Sequence, residues 1–118
     1  MANIAELFLS SDERAYTDNE YNLGKGKQAT IRLFEPTTED KLWLISMERI
    51  YTAQGKPVPA GEIVDLIIRV CYDPENNQKV FLPTMRDALL KSSKPAVIKI
   101  YNDWMGLVAG NLEEYAKN

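Results

Sequence analysis

The chain has 118 residues, 45% of them hydrophobic and 26% charged, the proportions of one folded domain and not of a disordered segment. The formal charge is −3 and the pI is near 5.0. Lys and Arg are scattered, the tightest group being Lys25, Lys27 and Arg32, which argues against nucleic acid, whose binders carry a basic stripe.

One cysteine and no histidine rule out, within this chain, a disulfide, a Cys-rich or His-ligated zinc site and His-assisted nucleophilic catalysis. Cys71 lies in the apolar run Ile67–Cys71 and reads as a small buried hydrophobe. Residues 1–4 have no basic start, and no apolar run approaches the ~20 residues of a membrane helix. The expected place is the cytoplasm of the producing cell, with no membrane contact.

In chain order, residues 3–9 (NIAELFL) read as a short helix, with Ile4, Leu7 and Phe8 on one face, or as an arm. Residues 10–20 are polar and read as loop, making 1–20 a candidate flexible arm of a single domain spanning 1–118. Residues 21–34 predict a β-hairpin: Ala29, Ile31 and Leu33 alternate with Thr30 and Arg32, and Gly24 and Gly26 suit a tight turn. Thr37 and Asp40 form a capping-box pattern for a helix to about residue 53. Its apolar positions are Leu42, Ile45, Met47, Ile50 and Tyr51, with Trp43 and Leu44 widening the face.

A second helix is predicted from about Ala60 to Tyr72, with Ile63, Val64, Ile67, Ile68 and Cys71 on one stripe. Asp73–Gln78 is a polar turn and Lys79–Leu82 a short extended piece. Thr84 and Asp87 predict a capped helix over about 84–91. Ser93 then caps a last helix with Pro95 in its first turn. Positions 97, 101, 104, 108, 111 and 115 step by four and three along that helix, a heptad seam. The stripe either packs on the domain's own helices or serves in part as a partner or self-association face.

No catalytic site assembles from these residues, and no cofactor or metal is implied. Gly24-Lys25-Gly26-Lys27 lacks the spacing of a phosphate loop and leads into a strand. Asp73–Asn77 is not followed by the bidentate Glu of a calcium loop. The expected fold is mainly α (α+β), with four or so helices, a small N-terminal β-hairpin and a long C-terminal helix. The expected activity is protein binding and not catalysis. Candidate contacts are Trp43, Met47, Tyr101, Trp104, Val108, Leu112 and Tyr115, each with burial in the core as its alternative.

The order of features carries a resemblance. A hairpin leads to a helix at Pro36-Thr37-Thr38-Glu39-Asp40. An apolar helix ends in Cys71-Tyr72-Asp73 and turns into Lys79-Val80-Phe81. Pro83–Ser93 then leads to a closing helix through Gly110-Asn111-Leu112. Over residues 21–112 this resembles the tail assembly chaperones of lambda-like long-tailed bacteriophages. One departure is Asn76-Asn77-Gln78, where a glycine is usual.

The resemblance implies a protein of the host cytoplasm, absent from the mature virion, that binds and solubilises the tape measure protein. It also implies a longer form, made by ribosomal frameshifting, that recruits tail tube protein, and a homo-oligomer. Ala116-Lys117-Asn118 is compatible with the slippery coding GCA-AAA-AAC. The alternatives are a head–tail connector or another small morphogenesis protein and, further off, a DNA-associated regulatory protein.

Overall fold

A computed structural model of the chain describes residues 3–9 and 14–117, with side chains for all of these except residues 7, 8 and 110–117. The sheet is larger than the predicted hairpin. Strand β1 spans Tyr16–Gly24 and strand β2 spans Lys27–Phe34. They pair antiparallel from Tyr16↔Phe34 to Gly24↔Lys27. The connection is Lys25-Gly26, both at positive φ (53° and 74°), which is the type I′ turn whose twist matches paired strands.

The loop reading of residues 10–20, and with it the arm reading of 1–20, is corrected over 16–20. Tyr16-Thr17-Asp18-Asn19-Glu20 shows no apolar alternation because this part of β1 is almost wholly exposed. Cross-strand side chains hold it instead. Arg32 grips Asp18 through two bonds, Nε–Oδ1 at 2.8 Å and Nη2–Oδ2 at 3.0 Å, and its guanidinium stacks 3.7 Å over the Tyr16 ring. Tyr16 meets Phe34 edge-on at 5.7 Å. Residues 10–13 lie outside the described residues. Before them, helix α1 (Ile4–Leu9) takes the helical option predicted there.

Helix α2, Thr38–Ala53, begins as its pattern required: the Thr37 hydroxyl accepts from Asp40 N at 3.1 Å, and the Asp40 carboxylate accepts from Thr37 N at 3.3 Å. Helix α3 spans Ala60–Val70 and not to Tyr72. Cys71-Tyr72 form strand β3, paired with Leu33 and Arg32 of β2. The helical stripe through Cys71 is thereby corrected. The chain leaves the helix where a fully buried Cys71 can lie beside a fully buried Leu33, so sheet pairing overrides the helical period.

The polar turn after β3 closes through Asp73 N to Gln78 O at 2.8 Å and Val80 N to Cys71 O at 3.1 Å. Asn77 takes φ 58° there. Asparagine tolerates that left-handed region, which accounts for its standing where glycine was expected.

The predicted Thr84 cap is not formed. Thr84 sits inside a 3₁₀ turn, Pro83–Met85, which runs into helix α4, Arg86–Lys91. Helix α5 spans Pro95–Lys117. Ser92, not Ser93, supplies the hydroxyl at its entry, accepting from Lys94 N at 3.2 Å.

The mainly α expectation is thus overturned. Among the described residues the fold is α+β: a three-stranded antiparallel sheet in the order β1-β2-β3 with five α-helices. The core lies between the inner face of the sheet (Tyr21, Ile31, Leu33, Cys71), α3, and one side of α5. Val64, Leu66, Ile67, Ile68 and Val70 are all buried, so α3 is the central helix. On α5 the buried positions are Ala96, Ile100, Trp104 and Val108, an i, i+4 stripe. The predicted seam positions Val97 and Tyr101 flank it, half-buried. Seam positions 111 and 115 fall outside the described side chains.

Candidate functional site

The predicted contact residues divide by burial. Trp104 is 1% exposed, with Trp43 edge-on at 6.3 Å and Tyr101 stacked at 6.5 Å. Val108 is also buried. These two belong to the core of the chain. Trp43, Met47 and Tyr101 are half-buried along the α2–α5 side. Burial, then the nearby Glu48 carboxylate, raises the Tyr101 phenol above its ordinary range. Leu112 and Tyr115 lie outside the described side chains.

Helix α2 leaves its outer side apolar. Only Leu44 is buried along its whole length, while Leu42 (57%), Ile45 and Ile50 are exposed.

A second apolar surface lies outside the predicted contact set: a groove of about 550 Å³ between the hairpin, the 80–81 segment, α4 and the first turns of α5. The sheet contributes Leu23 and Ile31, the extended segment Val80 and Phe81, α4 Leu89, and α5 Val97 and Ile100. Sequence pattern explains why each is there. Leu23 is the extra residue in the β1 bulge, since Asn22 pairs with Gln28 and Gly24 with Lys27. Val80-Phe81 is a short apolar pair just after a polar turn. Leu89 sits on a helix that buries no residue fully.

Two polar ties hold the groove open. Lys94 Nζ donates to Leu23 O at 2.9 Å and joins the hairpin end to the start of α5. Arg86 Nε donates to Asp65 at 2.6 Å and fastens α4 to α3. The guanidinium passes close over Gly61, where an added Cβ would collide with it. A larger residue there would make the Arg86 side chain shift.

The groove's titratable groups are few. Asp73 and Lys94 stand at its margin, and Tyr21 contributes its ring. The Tyr21 hydroxyl is spent elsewhere, donating to Asp103 at 2.9 Å and accepting from Asn19 Nδ2 at 3.4 Å. Burial raises its pKa far above the ordinary value of 10.0. Cys71, on strand β3, is wholly buried, and burial pushes its thiol up to about 12, so it stays protonated and unreactive at neutral pH. The arrangement can seat apolar side chains; it does not bring a nucleophile and a base together.

No protein-family model, curated protein or solved structure matches the chain. The surfaces themselves therefore carry the functional argument. A volume of about 550 Å³ falls inside the ~300–1,000 Å³ range of binding clefts, which are mostly apolar with a few polar groups at the margin. The half-buried contacts of α2 and α5 are a separate face: they share no residue with the groove. The signal that could have found the groove was Val80-Phe81, since an apolar pair in a non-helical connection must cover something or be covered.

Proposed function

We propose that this protein is a tail assembly chaperone of the lambda-like type, a binding protein that keeps the helical, apolar tape measure protein soluble during tail morphogenesis. The observation that carries the reading is the apolar groove. An amphipathic helix recognises such a groove by placing residues at i, i+3, i+4 and i+7 into it. Leu23, Val80, Phe81, Leu89 and Val97 supply its apolar contact. Each client side chain of Leu, Ile or Phe size that becomes buried contributes about 1.5–3 kcal/mol before the cost of association.

The exposed side of α2, with Leu42, Ile45 and Ile50, and the half-buried Trp43, Met47 and Tyr101 extend the apolar surface for a long client or a further copy of the chain. The order of hairpin, capped helix, polar turn and long last helix in the sequence supports the same reading. On this reading the protein acts in the host cytoplasm as an oligomer and is left out of the finished virion. A frameshifted longer form adds the contact to the tail tube protein.

Co-expression tests it. The tape measure protein stays in the soluble fraction with the wild-type chain and precipitates with Leu89→Asp, which puts a charge into the groove without touching the core. Equal solubility with both variants refutes the groove. Mass spectrometry of purified virions separates the chaperone from a connector: the chaperone is absent, whereas a connector remains.

A further inference from the structure

A second concavity, half-open and about 180 Å³ in volume, lies between the start of α2, the end of α3 and the side of α5. It shares no lining residue with the client groove. Its charged lining is Arg14, Arg69 and Lys79 against Glu39 and Asp40, which leaves one positive charge in excess.

Three N–H donors on its lining residues have no acceptor: Trp104 Nε1, Arg69 Nε and Arg69 Nη2. Trp104 is 1% exposed, and buried indole N–H groups ordinarily find a partner. Arg69 Nη2 lies 3.2 Å from Asp40 Oδ1. That is close enough for charge attraction, but the two are not aligned as a hydrogen bond. The other Asp40 oxygen is taken by the Thr37 N–H of the capping box.

The Nε/Nη2 edge is the side of a guanidinium that binds both oxygens of a carboxylate at once. The Arg69 side chain as a whole is 38% exposed, while its Nε and Nη2 are buried in the wall. The α2 N-terminus adds the positive end of a helix dipole to the same pocket.

We propose that this pocket is a carboxylate site: it takes one carboxylate group, of a small molecule or of a partner's Asp or Glu side chain, on the Nε/Nη2 edge of Arg69 beside the Trp104 indole. A single negative charge cancels the excess positive charge of the lining, and its two oxygens supply aligned acceptors that these donors lack. A phosphate dianion overshoots that balance in a lining that already holds Glu39 and Asp40. The inference stands apart from the client groove and survives the failure of that reading.

The two indole N–H signals of the full chain report on it by ¹H–¹⁵N NMR, with Trp43→Phe giving the assignment. Potassium acetate is titrated against potassium chloride at equal ionic strength. The expected result is a saturable shift of the Trp104 indole signal in acetate and none in chloride. Arg69→Lys keeps the charge but loses the two-donor edge, and weakens acetate binding at least ~10-fold. If that variant does not fold by circular dichroism, Lys79→Gln at an exposed position removes the excess charge and weakens binding in its place.

N-acetylglutamate α-amide and its glutamine isostere separate the sources. Tighter binding of the glutamate compound than of acetate points to a partner's side chain, and equal binding to a small free carboxylate. Shifts that are equal in acetate and chloride overturn the proposal, as does acetate binding unchanged in the folded Arg69→Lys variant.

Discussion

Replacing Trp104 by alanine is the sharpest test of how α5 is held. The indole is 1% exposed and packs against Trp43 and Tyr101. An aromatic of this size buries about 150–250 Å², and ~25 cal/mol per Å² gives ~4–6 kcal/mol of transfer free energy. Partial collapse of the site lowers this to the ~3–5 kcal/mol typical of such truncations. A chain of 118 residues has a total stability of roughly 6–18 kcal/mol at ~0.05–0.15 kcal/mol per residue. The loss is therefore a substantial share of the total stability.

Urea unfolding followed by circular dichroism reads the loss. With a slope of ~2 kcal/mol per molar, the midpoint falls by ~1.5–2.5 M. Trp104→Phe keeps a ring against Trp43 and falls less. A drop below ~0.5 M in Trp104→Ala, together with lost client binding, would refute the core assignment and return Trp104 to the contact surface.

Stability should also fall in alkali. The buried Cys71 thiol ionises near 12 in the fold against an ordinary 9.0, so the unfolded chain loses its proton first as pH rises. The stabilisation is complete below about pH 9 and is lost between about 9 and 12. Tyr21 and Tyr101, shifted the same way, steepen the loss above their ordinary 10.0. The urea midpoint of the wild type is expected to drop between about pH 8 and 10.5 by more than that of Cys71→Ala; parallel drops contradict the burial argument. Tyr21→Phe removes the bond to Asp103 and is expected to cost about 1–2 kcal/mol, since the acceptor is charged but half-exposed; a cycle with Asp103→Asn should show coupling of ~1 kcal/mol, and additive losses contradict it. Thr37→Ala opens the capping box of α2 and should cost about 1 kcal/mol by thermal unfolding, with no loss meaning that the cap is idle.

Those elements were legible in the sequence whose signals are local. The capping box at Thr37 and Asp40 is satisfied by atoms three residues apart, so no tertiary contact was needed to predict it. The Gly24–Gly26 turn is similar, because its positive φ values depend on the turn alone. The errors came where distant partners decide. Residues 16–20 become strand through Arg32 and Phe34, more than ten positions away. Cys71-Tyr72 leave the helical period because Leu33 and Arg32 offer a free edge.

Thr84 looked like a cap, but Pro83 starts a 3₁₀ turn one residue earlier. The contact residues suffered from the same limit. An aromatic stripe on α5 reads alike whether it faces solvent or core, and only the packing of α5 against the sheet and α3 put Trp104 and Val108 inside. The groove was least legible of all, since Leu23, Phe81, Leu89 and Val97 come from four separate segments.

Client binding in the groove is the central claim, and fluorescence anisotropy tests it directly. A labelled peptide from an apolar helix of the tape measure protein is titrated with the wild type, with Leu89→Asp in the groove, and with Ile98→Asp, a 66% exposed position that does not line it. The account predicts at least ~10-fold weaker binding for Leu89→Asp, a loss of ~1.4 kcal/mol, and wild-type affinity for Ile98→Asp. Undiminished binding by a folded Leu89→Asp would contradict it.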